Sequence, residues 1–289
     1  MPHTGKGKAL EVGRQALNYL EGAGAAVVLG PEAARALGRD DLALPAPSWE
    51  DLDAVVVVGG DGAVLRAARA LTQDTTPLLC VNVGRLGFLT EVDHDALEKA
   101  LTRLLAGEFH VEERMMLKAR LTRKGEVFAD VVALNDVVIN RGTFARIIRI
   151  EATVDGELVF DYSGDGLIVA TPTGSTGYSL SAGGPIVNPR IDAVILTPIC
   201  PHALASRSVV VHADEEVVVR VTASHADIMV TVDGQVGFSI APGDVVRIGR
   251  APRPVRLVRF GRERFYRELR ERLGQGKAYT IPGEGGLDA

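Results

Sequence analysis

Asp61 is the residue of this chain best placed to do chemistry. It lies in Gly59-Gly60-Asp61-Gly62, directly behind four valines, Val55 to Val58, and ahead of a short apolar helix from Ala63 to Leu71. Glycines let backbone amides approach an anion closely, and a helix that follows aims its positive end at the same spot. A site for phosphate alone has no use for a carboxylate there. Asp61 therefore reads as a group that handles a hydroxyl proton or a metal ion. A helix N-cap is the structural alternative.

Two further groups carry unusual chemistry. Asp165 to Pro189 (DGLIVATPTGSTGYSLSAGGPIVNP) is dense in hydroxyls between Thr171 and Ser179 and has one charge, Asp165. Thr and Ser oxygens donate and accept, so they can read the edge of a nucleobase, and Tyr178 can lie against a ring face. On composition, an elaborate turn whose hydroxyls cap local backbone stands level with that reading. Asn135-Asp136 falls between Val131-Val132-Ala133-Leu134 and Val137-Val138-Ile139. Polar groups in such a run are costly unless paired, and a carboxylate there suits the vicinal hydroxyls of a ribose. In a regular strand the two side chains point to opposite faces, so a bulge or a strand end is needed for both to reach one ligand. A structural hydrogen-bonding role is the other reading. His202, in Pro201-His202-Ala203, is expected to be structural, because its turn is apolar.

These residues need a scaffold. Four valines without alternation predict a strand buried on both faces, as in a parallel sheet, where ligands gather at the carboxyl ends. Leu10, Gly13, Leu17 and Leu20 share a helical face, Ala26 to Leu29 reads as a strand, and Val64, Ala68 and Leu71 form a stripe with Arg66 and Arg69 facing away. Leu78 to Val83 reads as another buried strand. Asp93 can cap a helix carrying Leu97, Leu101, Leu104 and Leu105, closed by Gly107. Such alternation predicts an α/β, Rossmann-like, doubly wound parallel sheet over residues 1–110. From about Met115 to Phe260 the period becomes two, with Asp155-Gly156 and Asp233-Gly234 as hairpin turns and Pro242-Gly243 as another turn. A β-rich, sandwich-like domain is expected over 111–257. A charged amphipathic helix from Gly261 to Leu273, anchored by Phe265 and Leu269, is expected to pack back on the first domain as part of the 258–289 tail. Pro282 to Ala289 is expected to fray.

With 289 residues, 46% hydrophobic and 24% charged, the chain has the composition of a globular protein with a well-buried core. A net charge of −5 and the lack of a basic block argue against nucleic acid. No apolar run reaches the roughly 18 residues of a membrane span, and no signal-peptide core opens the chain. A cytoplasmic protein is expected, with Cys80 and Cys200 as buried free thiols.

The glycine-aspartate element behind its valine strand, Asn135-Asp136 and the long threonine-rich segment together strongly resemble the NAD kinases, over about residues 50 to 250. The resemblance implies transfer of the γ-phosphoryl group of ATP, or of inorganic polyphosphate, to the 2′-hydroxyl of the adenosine ribose of NAD, giving NADP. It implies that Asp61 takes or holds the hydroxyl proton, and that Gly59, Gly60 and Gly62 admit donor phosphates to backbone amides. No P-loop lysine motif is present, so positive charge comes from Mg²⁺ accompanying ATP, with Arg85 as a weaker candidate and no resident metal ligand. Phe88 lines the pocket, and Asn135 and Asp136 hold ribose hydroxyls. Thr173, Thr176, Gly177 and Tyr178 surround the adenine, with Ser179, Leu180 and Ser181 in the same stretch. Asp165 lies toward the nicotinamide, and Arg146 and Gln235 are further contacts by position. A homodimer or homotetramer whose neighbouring subunits complete the NAD pocket is also implied.

Two departures from the family pattern stand out. The family has Asn-Glu where this chain has Asn135-Asp136, which shortens the acid. Relatives open with a hydrophobic strand ending in Asn-Pro, whereas this chain begins Met1-Pro2-His3-Thr4-Gly5; a missing first strand and an exposed sheet edge are expected. Two rivals remain. A lipid kinase sharing the glycine-aspartate element leaves the Thr173 to Ser181 segment unexplained. A non-catalytic NAD-binding regulator would have no need of Asp61.

Overall fold

The computed structural model describes residues 7–44, 52–71, 76–84, 87–142, 147–202, 206–222, 228–261 and 265–273. Arg85, Arg146, the opening residues and the tail beyond 273 lie outside these, with the expectations attached to them.

In chain order the elements begin with α1 (Gly7–Gly22), α2 (Pro31–Leu37), β1 (Val55–Gly59), α3 (Asp61–Ala70), β2 (Leu78–Asn82), β3 (Val92–Asp93), α4 (Leu97–Leu105) and β4 (His110–Arg114). Next come β5 (Leu117–Arg123), β6 (Glu126–Ala133), β7 (Asp136–Arg141), β8 (Ile148–Val154), β9 (Glu157–Gly164), β10 (Gly166–Ala170) and the one-turn α5 (Tyr178–Ser181). Then follow β11 (Ala193–Ile199), β12 (Val209–His212), β13 (Val217–Thr222), β14 (Ile228–Val232), β15 (Val236–Ile240), β16 (Val245–Arg250), β17 (Val255–Arg259) and α6 (Phe265–Leu273).

The valine run does what its lack of alternation predicts. β1 pairs in parallel with β2, Val57 opposite Cys80, and both faces are covered. Val55, Val57, Leu78 and Cys80 pack against Ala63, Val64, Ala67 and Ala68 of α3. Val58, Leu79 and Val81 pack against Ala9, Val12 and Ala16 of α1 and Leu97, Ala100 and Leu101 of α4. Full burial of each valine or leucine stabilises by about 1.5–3 kcal/mol, so this two-sided packing fixes the end of β1 from which Asp61 springs. The stretch Ala26 to Leu29 forms no strand; Leu29 makes a single bridge to Ala43.

Not all of the period-two stretch belongs to one body. β17 pairs in parallel with β2 at Leu257–Leu78 and antiparallel with β4, so the chain returns to the first sheet after crossing the second half. Its alternation hides this, because Val255 and Leu257 pack on the α3 side and Val258 on the other. β3 completes that sheet beside β2, and the other twelve strands make two six-stranded antiparallel sheets, β12-β11-β10-β7-β14-β15 and β6-β5-β16-β13-β8-β9. They enclose one core, with Leu117, Ile150 and Val219 from one sheet against Ile139, Leu167 and Val230 from the other. Asp155-Gly156 (φ +46° and +86°) and Asp233-Gly234 (φ +50° and +62°) both turn left-handed, as a tight hairpin requires. Lys124-Gly125 does the same between β5 and β6, without an Asp or Asn to announce it.

Three further positions are informative. Cys80 is buried, and that burial pushes its thiol up to about 12; Cys200, however, is exposed, because it follows the end of β11 in a left-handed turn (φ +45°). The His202 side chain is exposed too, while its amide donates to the Ser163 carbonyl (2.8 Å). No helix among the described residues is long and apolar enough to cross a membrane.

Candidate active site

Asp61 is the first residue of α3, and Gly60, in extended backbone, is its N-cap. The carboxylate therefore caps nothing. It turns instead to the loop after β2, where it accepts hydrogen bonds from the amides of Phe88 (2.8 Å) and Leu89 (3.1 Å). Gly87 is glycine for a reason in this contact: a Cβ there would fall 1.7 Å from Asp61 Oδ1. Two amides use part of a carboxylate's four or so lone-pair directions, so Asp61 retains acceptor capacity for a hydroxyl.

Asn135 and Asp136 lie at a strand end, where the chain leaves β6 in one sheet and enters β7 in the other. That break lets both reach one place: a Cβ on Gly177 would lie 3.7 Å from Asn135 Nδ2 and 4.0 Å from Asp136 Oδ2. The pair is held from behind by Asp233, whose carboxylate accepts from the amides of Leu134 (3.2 Å), Asn135 (2.7 Å) and Asp136 (3.2 Å). Arg69 Nη1 donates to the same carboxylate at 2.7 Å. Arg69 thus does not face away from the protein; it reaches from the last turn of α3 into the second half. Its Nη2 donates to Gln235 Oε1, and Gln235 Nε2 donates to the Gly62 carbonyl (2.8 Å). Gln235, expected as a ligand contact, spends both ends of its amide on protein groups.

The threonine-rich segment uses most of its hydroxyls internally. Thr171 Oγ1 donates to the Leu134 carbonyl (2.6 Å), and the Thr171 amide donates to the Asn135 carbonyl (2.9 Å). Ser175 is bonded to Pro172 and Val187, and Thr176 Oγ1 donates to the Thr173 carbonyl. Ser179 is fully buried and paired with Thr197 of β11 (2.8 Å). Its hydroxyl faces the core, so the contact expected for Ser179 is not made by that oxygen. Gly174 packs so close to Asn135 that a Cβ would fall 2.0 Å from the Asn135 carbonyl oxygen. Leu180 is half-buried, while Tyr178 and Ser181 are exposed.

Thr173 and Thr176 share a cleft with Phe88, and Phe265 and Glu268 of α6 line its rim. Tyr266 on the same helix bonds Asn188 (3.1 Å). Beneath the cleft is a charged chain that strand alternation disguised as a solvated face. Arg114 reaches Glu112 at 2.8 Å and Thr173 Oγ1 at 3.4 Å; Arg259 reaches Glu112 at 2.6 Å and Glu91 at 3.1 Å. Burial alone would push the Glu112 carboxyl up, but the flanking Arg114 and Arg259 hold it below the usual carboxylate range. Among the described residues, no group of three His, Cys, Asp or Glu is placed to hold a metal ion.

Residues 39–109 match the ATP-NAD kinase N-terminal domain family, and residues 134–260 match the ATP-NAD kinase C-terminal domain family. The NAD kinase of Symbiobacterium thermophilum is 48% identical over 269 residues, 93% of this chain and 95% of that protein. That of Heliobacterium modesticaldum is 50% identical over 237 residues, 81% and 84% respectively. The chain belongs to the NAD kinase family. Its fold is similar to that of an Archaeoglobus fulgidus NAD kinase solved in complex with ATP, with a TM-score of 0.72 at 28% identity, over 90% of this chain and 94% of that one. The yeast NADH kinase complexed with NADH shares the fold at a TM-score of 0.87 and 23% identity, over 96% and 87%.

For an NAD kinase, one expected contact stands apart within the single chain. Asp165 precedes β10 and Thr171 follows it, so the two are about 20 Å apart at roughly 3.3 Å per residue. Asp165 is bonded there to Arg141 Nε (2.6 Å). The other described candidates gather at the opposite end of that strand and at the head of α3. Asp233, Arg69, Arg114 and Glu112 escaped sequence reasoning because a turn aspartate and alternating charges look alike whether solvated or buried.

Proposed function

We propose that this NAD kinase transfers the γ-phosphoryl group of ATP, or the terminal group of inorganic polyphosphate, to the 2′-hydroxyl of the adenosine ribose of NAD. As the new O–P bond forms and the bond to the departing phosphate breaks, the hydroxyl proton passes to Asp61. Asn135 and Asp136 hold ribose hydroxyls, while Thr173, Thr176, Gly177 and Phe88 enclose the adenosine. Gly59, Gly60 and Gly62 offer amides to the donor phosphates, which bring Mg²⁺ with them as part of the substrate and so neutralise charge as it develops.

One observation carries the reading: Asp61 and the Asn135-Asp136 pair are parts of a single bonded cluster, joined through Gly62, Gln235, Arg69 and Asp233. An acceptor carboxylate and a ribose-binding pair need that proximity, since transfer of this kind is mostly alignment and charge stabilisation. The lipid-kinase alternative has no support, because both matched families are ATP-NAD kinase domains.

Asp165 fits a role in a neighbouring subunit's pocket, which makes the protein a homodimer or homotetramer with shared sites, working in the cytoplasm. Its distance from its own cleft supports this. Incubation with NAD, MgATP or polyphosphate, followed by an NADP-specific dehydrogenase, tests the reaction. Formation of NADP is expected; lipid phosphorylation without NADP would overturn it. Sedimentation of the protein tests the assembly, and a monomer that is fully active would remove the shared-site role of Asp165.

A further inference from the structure

Asp233 opens the hairpin turn between β14 and β15, in left-handed backbone, where any Asp or Asn would satisfy the turn. Its side chain does much more than turning requires. It is fully buried, and it accepts from three consecutive amides, 134 to 136, as well as from Arg69. Those amides belong to the residues that carry the ribose pair. Arg69 belongs to the helix that carries Asp61. Gln235, two residues on, closes the circuit by bonding both Arg69 and the Gly62 carbonyl.

We propose that Asp233, Arg69 and Gln235 are positioning residues of the phosphoryl transfer, which fix the separation of Asp61 from Asn135-Asp136. The inference rests on the roles given above to those three residues. Gly62 and Arg69 are seven residues apart, about 10 Å along the axis of α3, yet both bond the one Gln235 amide, while the other Arg69 nitrogen holds Asp233 as a second attachment. Two-point attachment resists both sliding and rotation of the helix relative to the second half. A long helical side chain covers the turn N-terminal to its own Cα, which is how Arg69 comes to share a partner with the first turn. The approach is close: a Cβ on Gly62 would lie 3.3 Å from Gln235 Nε2. That glycine therefore also serves the strut, besides any service to phosphate. Arg69 lines a groove with Lys118, Asp130 and Arg253 and does not line the cleft of Phe88 and Thr173, so it acts through Asp233 rather than on the substrate.

The test uses the full chain and the variants Arg69→Ala, Arg69→Gln and Arg69→Lys, assayed for NADP formation well below each variant's own melting temperature. Misplacing a reactive group by about 1 Å costs on the order of a hundred-fold, so Arg69→Ala is expected to lower kcat at least about ten-fold. The KM for NAD should change by less than kcat, and Arg69→Lys should recover part of the loss because an ammonium still reaches Asp233. A bridge that is merely structural would lower the melting temperature and leave kcat of the folded protein unchanged; that result overturns the proposal. Should Arg69→Ala fail to fold, the ordering of kcat in the Lys and Gln variants decides in the same way. Asp61→Asn separates the two layers. Near wild-type turnover in Asp61→Asn would sink the site reading itself. Its loss, beside full kcat in the Arg69 variants, would sink the strut alone.

Discussion

Asp136 lies beside Asp233 in one buried corner, and the Arg69 guanidinium is bonded to Asp233. Burial, and then the Asp233 charge, push the Asp136 carboxyl up to about 7. The folded protein thus holds a proton that the unfolded chain releases near its ordinary value of 3.8. Stability from this group is fully present below that ordinary value and is lost as pH rises through about 7. Denaturant unfolding between pH 4 and 8 should show the decline, on the order of a few kcal/mol, and Asp136→Asn should flatten it. A ribose hydroxyl that donates to Asp136 favours the ionised form, so NAD binding near neutrality should release a proton. Calorimetry in buffers of different ionisation enthalpy measures that release.

Asp61→Asn removes the proposed proton acceptor but keeps one oxygen for the Phe88 or Leu89 amide. Turnover should fall by about 10²–10⁴, the usual contribution of a positioned acid–base group, with the fold intact by circular dichroism.

Gly174→Ala forces a Cβ to within 2.0 Å of a backbone oxygen that cannot swing aside. A loss of about 3 kcal/mol is expected, measured as a lowered unfolding midpoint. Gly60→Ala is the contrast, since a Cβ there meets nothing within 4 Å. A midpoint for Gly174→Ala equal to that of Gly60→Ala would refute the packing argument.

Ser179→Ala strands the Thr197 hydroxyl in the core and should cost about 1–3 kcal/mol in stability. Because the Ser179 oxygen faces β11 rather than the cleft, the KM for NAD should move little. A large rise in KM with unchanged stability would contradict the observed pairing.

Much of this arrangement is legible in the amino-acid sequence. The valine strand, the helix behind Asp61 and the Asp-Gly hairpins all depend on local chemistry, and they stand where periodicity puts them. Composition left the threonine-rich segment open between ligand binding and self-capping. Its folding shows a division of labour, with Ser175 and Ser179 turned inward and Thr173 bordering the cleft. What stayed hidden was long-range. Nothing near residue 233 says that its carboxylate meets Arg69, 164 residues away. Likewise, nothing in Val255 to Arg259 says which sheet it joins, because a buried strand alternates alike in either. Cys200 misled for a related reason, since apolar neighbours in sequence became neighbours of a turn.

The late return of β17 has a consequence for biogenesis. A ribosome releases β1, β2 and β4 long before the strand that separates β2 from β4 exists. The double-layered middle of the chain draws its buried core from Met115 to Ile248 alone, whereas the sheet bearing Asp61 must wait with an empty lane between β2 and β4. Maturation of the sheet behind α3 is therefore tied to synthesis of almost the whole polypeptide, and a nascent chain halted before Val255 would carry the glycine-aspartate loop without the strand that joins β2 to β4.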